Sequence, residues 1–315
     1  MSISSIVRGA KTLCIIMAGM AALLPSLPLY AQSDAVTITF TGDVLLDRGV
    51  RQRIERSGPD ALFSPSIDSL FSTSTYVVGN LECPATLVRQ PNYKWYIFRG
   101  EPQWLDCLHR HGFTHLNLAN NHSIDQGRKG LLDTRKNIIR AGMTPFGADS
   151  TMAAAAQPLL LTTMPRPVYI LASLRLTLEN FPYLPFSPSP SQESMDSLIL
   201  RVADLRQQHP DAVIVVSLHW GGEHTLRPVS QQRMQAHQLI DAGADILVCH
   251  HPHTLQTIEL YHGHYIYYSI GNFIFDQTRD INSKAAVVQL TVTSDTIDVR
   301  THHIQIHECT PHIIE

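Results

Sequence analysis

Three histidines within four positions, His250, His251 and His253, close the apolar run Asp245 to Val248. A short run of this kind reads as a buried strand, so the imidazoles stand at its carboxyl end, where open α/β sheets place their sites. Neutral imidazole is the commonest protein metal ligand near neutral pH, and Pro252 favours a turn that lets His251 and His253 converge. Four other apolar runs end in ligand-type residues. Val36 to Phe40 leads to Asp43, Tyr76 to Val78 to Glu82, His115 to Leu118 to Asn121 and His122, and Ala212 to Leu218 to His219.

Each placement has an ordinary structural alternative. Asp43 suits a tight turn, Glu82 an exposed loop, Asn120-Asn121 a left-handed turn pair, and His219 a satisfied core position. The cluster at 250–253 suits a solvated histidine-rich loop. The recurrence of the pattern at five strand ends favours one shared site. Two carboxylates, an amide oxygen and three or more imidazoles suit one or two divalent transition ions, Mn, Zn, Fe or Ni. The set is too rich in nitrogen for a dedicated Ca or Mg cage.

The elements that must position these residues alternate between strand-like and helix-like, which predicts an α/β layer architecture. Further strands are expected at Pro167 to Ala172 and Tyr265 to Ile270, with an antiparallel finish at Ala286 to Val292 and Ile297 to Ile306. Helices are expected at Pro102 to His111, around Leu131 to Ile139 with Gly142 as cap, at Ser194 to His209 with Ser194 as cap, and at Ser230 to Ala242 before Gly243. In a mostly parallel sheet the five strand ends would gather along one edge. The proline-rich stretch Phe181 to Ser191 reads as a loop.

Arg8 and Lys11 precede the apolar run Leu13 to Leu24, broken by Pro25 and Pro28, with Ala31 offering a small residue for cleavage. That order predicts a secretory signal peptide over 1–31 and a single mature domain over 32–315. The expected location is the periplasm or cell envelope, anchored if the segment is retained. Without it, the 24 Lys+Arg fall by two against 27 Asp+Glu, giving a formal charge of −5. No nucleic-acid partner is expected. Cys83, Cys107, Cys249 and Cys309 remain, at spacings that fix no pairing.

Taken in order, Thr41-Gly42-Asp43-Val44, Gly79-Asn80-Leu81-Glu82, Leu118-Ala119-Asn120-Asn121-His122, Ser217-Leu218-His219-Trp220-Gly221, His250-His251-Pro252-His253 and Tyr268-Ser269-Ile270-Gly271-Asn272-Phe273 resemble the CapA family. These are poly-γ-glutamate capsule biosynthesis proteins related to calcineurin-like metallophosphoesterases. The resemblance covers about residues 36 to 280 and implies a four-layer α/β/β/α sandwich with its site at the sheet edge. By motif it implies that Asp43, Glu82, Asn121, His219, His251 and His253 hold metal and that His122 acts near the leaving group. Two departures from the superfamily weaken the case for a full two-ion site. Leu45 stands where the first motif has histidine, and Glu82 replaces an aspartate.

The resemblance implies either a metal-dependent hydrolase or a non-catalytic polymer-binding, assembly or export factor. An anionic envelope polymer or phosphate ester is the expected substrate, with capsule-synthesis membrane proteins as partners. Around this set, Asp125 reads as a helix amino-terminal carboxylate or an orienter of His122. Glu223 and His224 read as pocket lining or solvated loop, and Asn272 as a site contact or a turn former. Lys94, Trp95 and Tyr96 make an aromatic-basic patch fit for a polyanion, although Trp95 is expected to pack in the core.

Overall fold

The computed structural model describes residues 35–314, so the expected signal peptide lies outside the described residues. The first sheet begins with β1 (Ala35–Val44), β2 (Tyr76–Leu81), β3 (His115–Asn117) and β4 (Thr144–Phe146), all parallel neighbours. A two-stranded ribbon, β5 (Ala148–Asp149) with β8 (Ser189–Pro190), brackets the start of the second sheet, β6 (Leu159–Thr162) and β7 (Val168–Leu174). That sheet continues with β9 (Val213–His219), β10 (Ile246–Val248), β11 (Ile258–Tyr261) and β12 (His264–Tyr267), in the order β11-β12-β10-β9-β7-β6. The chain then returns to the first sheet. There β13 (Asn272–Ile274) adds parallel to β1, and β14 (Lys284–Thr293), β15 (Ile297–His307) and β16 (Thr310–Ile314) complete an antiparallel flank.

Alternation along the strands builds the layers. Val213 and Val215 of β9 face the first sheet, in an apolar layer with Ile38, Phe40, Val78, Val288 and Leu290. Ile214 and Val216 face the other way, onto Leu198, Val202 and Leu205 of α6 (Met195–Gln208) and Leu239 of α7 (Ser230–Asp241). A strand covered on both faces is apolar on both, which is why 213–216 reads as an unbroken run. The outer face of the first sheet is covered by α1 (Arg48–Ser57), α2 (Pro65–Ser72), α3 (Leu105–Arg110) and α4 (Gly127–Arg140), through Val50, Ile54, Ile67, Phe71, Leu108 and Leu131. The result is helix, sheet, sheet, helix, as the resemblance implied. The short helices α5 (Met152–Ala155) and α8 (Asp280–Ser283) lie outside this plan.

One expected strand needs correction. Two sheets share an apolar interface, and the strand expected over Tyr265 to Ile270 ends at Tyr267. The chain beyond it leaves the second sheet and pairs with β1 as β13, Asp43 opposite Asn272. That crossing depends on Gly42, where a Cβ would sit 2.1 Å from the Gly271 carbonyl oxygen. Among the described residues no helix is long and apolar enough to cross a membrane, and Cys83, Cys107, Cys249 and Cys309 are free.

Candidate metal centre

The carboxyl ends of β1 and β2 deliver Asp43 and Glu82, both fully buried. The ends of β9 and β10 deliver His219 and the 250–253 turn from the opposite sheet. The backbone of that turn is locked to β9, with the His250 amide donating to the Leu218 carbonyl at 2.8 Å and the Trp220 amide to the His250 carbonyl at 3.1 Å. His251 and His253 flank Pro252 with φ of 98° and 56°, left-handed values that are costly for non-glycine residues. Such strain concentrates at functional sites. It turns both imidazoles inward, where the structure brings all six expected ligands together.

Asn121 Oδ1 lies 2.8 Å from His219 Nε2, His251 Nδ1 3.2 Å from the same nitrogen, and Glu82 Oε1 3.5 Å from it. His253 spans the two carboxylates, its Nδ1 3.3 Å from Asp43 Oδ2 and its Nε2 3.8 Å from Glu82 Oε1. Donor atoms of Glu82, His251 and His253 all lie within 4.8 Å of one another. Neither oxygen of Glu82 has a hydrogen-bond partner, nor does Asp43 Oδ2, although all three are buried. A buried carboxylate without hydrogen-bond partners must either take up a proton or be served by a cation. The orphaned oxygens and the mixed oxygen-nitrogen donor set therefore fit a divalent transition ion.

Electrostatics agree. Burial, with Asp43 nearby, pushes the Glu82 carboxyl well above the usual carboxylate range. Contacts with His250 and His253 outweigh burial at Asp43 and hold it well below. Burial, reinforced by His253, lowers His251 to about 3, and burial drives His219 well down, so both present neutral nitrogens. Burial would lower His253 too, but Glu82, Asp43 and Asn272 raise it to about 9. With its proton, the ring lies between the two carboxylates as the cation would. Binding an ion through His253 must release that proton.

His122 sits beside this cluster in a separate arrangement. Its Nδ1 lies 2.8 Å from Asp125 Oδ2, and its ring stacks on Phe98 at 4.2 Å. Asp125 is fully buried; it accepts from the Phe98 amide at 2.7 Å and pairs with Lys94 Nζ at 2.6 Å. Lys94 Nζ also donates to the Asn121 carbonyl at 3.0 Å. Asp125 is therefore no helix cap: α4 begins at Gly127, and the carboxylate orients His122. Burial lowers His122, against the pull of Asp125.

The aromatic-basic patch is corrected in two ways. Trp95 is 94% exposed and Tyr96 61%, so neither packs in the core, while the Lys94 side chain is 4% exposed and faces Asp125. The Asn92 amide donates to the Asp125 carbonyl and the Phe98 amide to its side chain, so the segment arches over Asp125 with only Lys94 turned in. Glu223 is on the surface, whereas His224 Nδ1 lies 3.0 Å from Asn282 Nδ2 with its ring 6.3 Å from His253. Asn272 contacts His253 Nδ1 at 2.9 Å, fixing that ring. Sequence reasoning missed Asn80, whose Nδ2 donates to Asp43 Oδ1 at 2.8 Å and lies 3.3 Å from His219 Nδ1. Its place on β2 two residues before Glu82, in the same alternation, was the available signal.

The family model described as bacterial capsule synthesis protein PGA_cap matches residues 37–277. The chain belongs to this family. It is 32% identical over 293 residues to the PGA biosynthesis protein CapA of Bacillus subtilis (strain 168), covering 91% of this chain and 76% of that one. It is also 32% identical to the capsule biosynthesis protein CapA of Bacillus anthracis, covering 82% of this chain and 64% of the relative's length. Among solved structures, the Thermus thermophilus sulfate thiohydrolase SoxB superposes with a TM-score of 0.51 at 12% identity, over 86% of this chain and 56% of that one. That likeness establishes the metallophosphoesterase-type fold for this member of the family. The segment that matches the family model carries every residue of the cluster, from Asp43 to Asn272.

Proposed function

We propose that this chain is an exported capsule or poly-γ-glutamate biosynthesis protein with a metal-dependent hydrolase site of phosphoesterase type, acting on an anionic envelope polymer or a phosphate ester. The observation that carries the reading is Glu82: a fully buried carboxylate whose oxygens have no hydrogen-bond partner, ringed by imidazoles. The expected holders of the ion are Asp43, Glu82, Asn121, His219, His251 and His253. When bound, a divalent ion would activate water near neutral pH and polarise a phosphoryl or acyl oxygen.

The chain's own residues supply proton transfer. With Nδ1 engaged by Asp125, His122 keeps Nε2 for the substrate, in the orientation a general acid or base needs. Lys94 and the Phe98 amide hold the Asp125 carboxylate, so the ring cannot swing away. The order of basic residues, apolar run and prolines ahead of Gln32 supports export. The names of the two CapA relatives support a second reading, a non-catalytic assembly factor with capsule-synthesis membrane partners. Metal content of the purified chain, together with phosphomonoester and phosphodiester hydrolysis, separates the two. A metal-loaded chain whose turnover falls about 10²–10⁴-fold in His122→Ala, with metal retained, supports the hydrolase. A metal-loaded chain without turnover on either ester class supports the assembly factor, and one that takes up no metal refutes the site.

A further inference from the structure

His250 is buried, with its side chain 4% exposed, and its Nδ1 has no hydrogen-bond partner. That nitrogen lies 3.3 Å from Asp43 Oδ1, yet without the alignment of a hydrogen bond. Two donors each about 2.1 Å from one ion, at tetrahedral to right angles, lie about 3.0–3.4 Å apart. The separation is thus that of two neighbouring ligands on a single cation. Asp43 Oδ2 is 3.3 Å from His253 Nδ1 on the other side. Leu45, two residues beyond Asp43, is fully buried in the apolar layer beneath the helices and supplies no donor to the site.

We infer that His250 is a metal ligand, binding through Nδ1 an ion shared with Asp43. It supplies from the second sheet the imidazole that Leu45 does not supply from the first. The inference rests on the metal-site reading above and extends its donor set. His219, His251, Asn121 and Glu82 can then hold a second ion without drawing on Asp43. The backbone bonds that tie His250 to Leu218 and Trp220 fix the ring in place before any ion arrives, as a ligand site requires.

The test is cobalt(II) titration of the full-length chain, read by bound equivalents and by the visible ligand-field spectrum. His250→Ala and His250→Gln are compared with the wild type and with His237→Ala, a surface histidine paired with Glu259. The expected result is one equivalent fewer in both His250 variants and no change in His237→Ala. Equal equivalents and spectra in wild type and His250 variants overturn the assignment and leave the rest of the site standing. A wild type that binds no cobalt overturns both. If the variants do not fold, a zinc-loaded crystal of the wild type decides: an ion about 2.1 Å from His250 Nδ1 supports the assignment, and His250 Nδ1 outside bonding distance of every ion overturns it.

Discussion

Lys94 and Asp125 form an ion pair at 2.6 Å with side chains 4% and 0% exposed, beside His122. Replacing Lys94 by Met keeps an apolar stem and removes the ammonium, leaving Asp125 buried with only the Phe98 amide and His122. Removing one partner of a buried pair costs about 3–5 kcal/mol, because the other charge is left uncompensated. Unfolding entropy near the melting temperature is about 2.1 cal/mol/K per residue, so about 280 ordered residues give about 0.6 kcal/mol/K. Lys94→Met should therefore lower the melting temperature by about 5–8 °C. Asp125→Asn should also destabilise, since it strands the ammonium. The double variant buries neither charge, so its loss should be smaller than the sum of the singles by about 2 kcal/mol or more. Calorimetric melts of all four chains measure the cycle. A Lys94→Met chain that melts within a degree of wild type, or strictly additive losses, would refute the buried-pair argument.

Proton release at the carboxylate-histidine cluster sets a pH dependence. His253 is raised from 6.5 to about 9 and Glu82 is raised as well, so the folded chain holds protons that the unfolded chain has shed. That stability is complete below the unfolded values and disappears as pH rises through the folded ones, so the chelated chain should melt progressively lower between pH 6.5 and about 9. Glu82→Gln should flatten this slope; an unchanged slope in the variant would show that the proton is held elsewhere. Gly42→Ala puts a methyl 2.1 Å from the Gly271 oxygen and should cost about 1–3 kcal/mol while displacing Asp43, seen as a lower melt together with weaker metal binding. Trp95→Ala removes a side chain that is 94% exposed and should change stability by less than about 0.5 kcal/mol; a loss of several would mean that the ring is packed after all.

Much of the site was legible because its ligands end apolar runs. A strand buried on both faces announces its length, and the residues just past its last apolar position stand at the sheet edge. Asp43, Glu82, Asn121, His219, His251 and His253 could therefore be grouped from the sequence. What periodicity does not carry is which sheet each strand joins. The two-sheet division came from the resemblance, and the passage of 264–274 from one sheet to the other was unreadable, because Tyr267 to Ile270 is buried in either setting. Asn80 was hidden for a related reason: within a strand an inward amide reads like any polar residue. The arch over Asp125 misled in the opposite sense. A tryptophan between a lysine and a tyrosine is ordinarily buried by its size, yet here the Asn92 and Phe98 amides fix the backbone so that the charged residue turns inward and the rings turn out.

The two halves of the site bear differently on what the chain does. Metal ligands alone would serve a structural or assembly role, because orphaned oxygens on Glu82 ask only for a cation. The His122 half is harder to assign to folding. A buried ion pair contributes little net stability compared with apolar residues of the same volume, since desolvating two charges offsets their attraction. Lys94 and Asp125 nevertheless bury both charges, and together with the Phe98 amide and ring they constrain one imidazole at the rim of the metal cluster. Proton transfer to a leaving oxygen, as in the proposed hydrolase, would depend on that constraint. Of the two halves, the geometry around His122 is the one that supports the proposed hydrolase over the assembly factor.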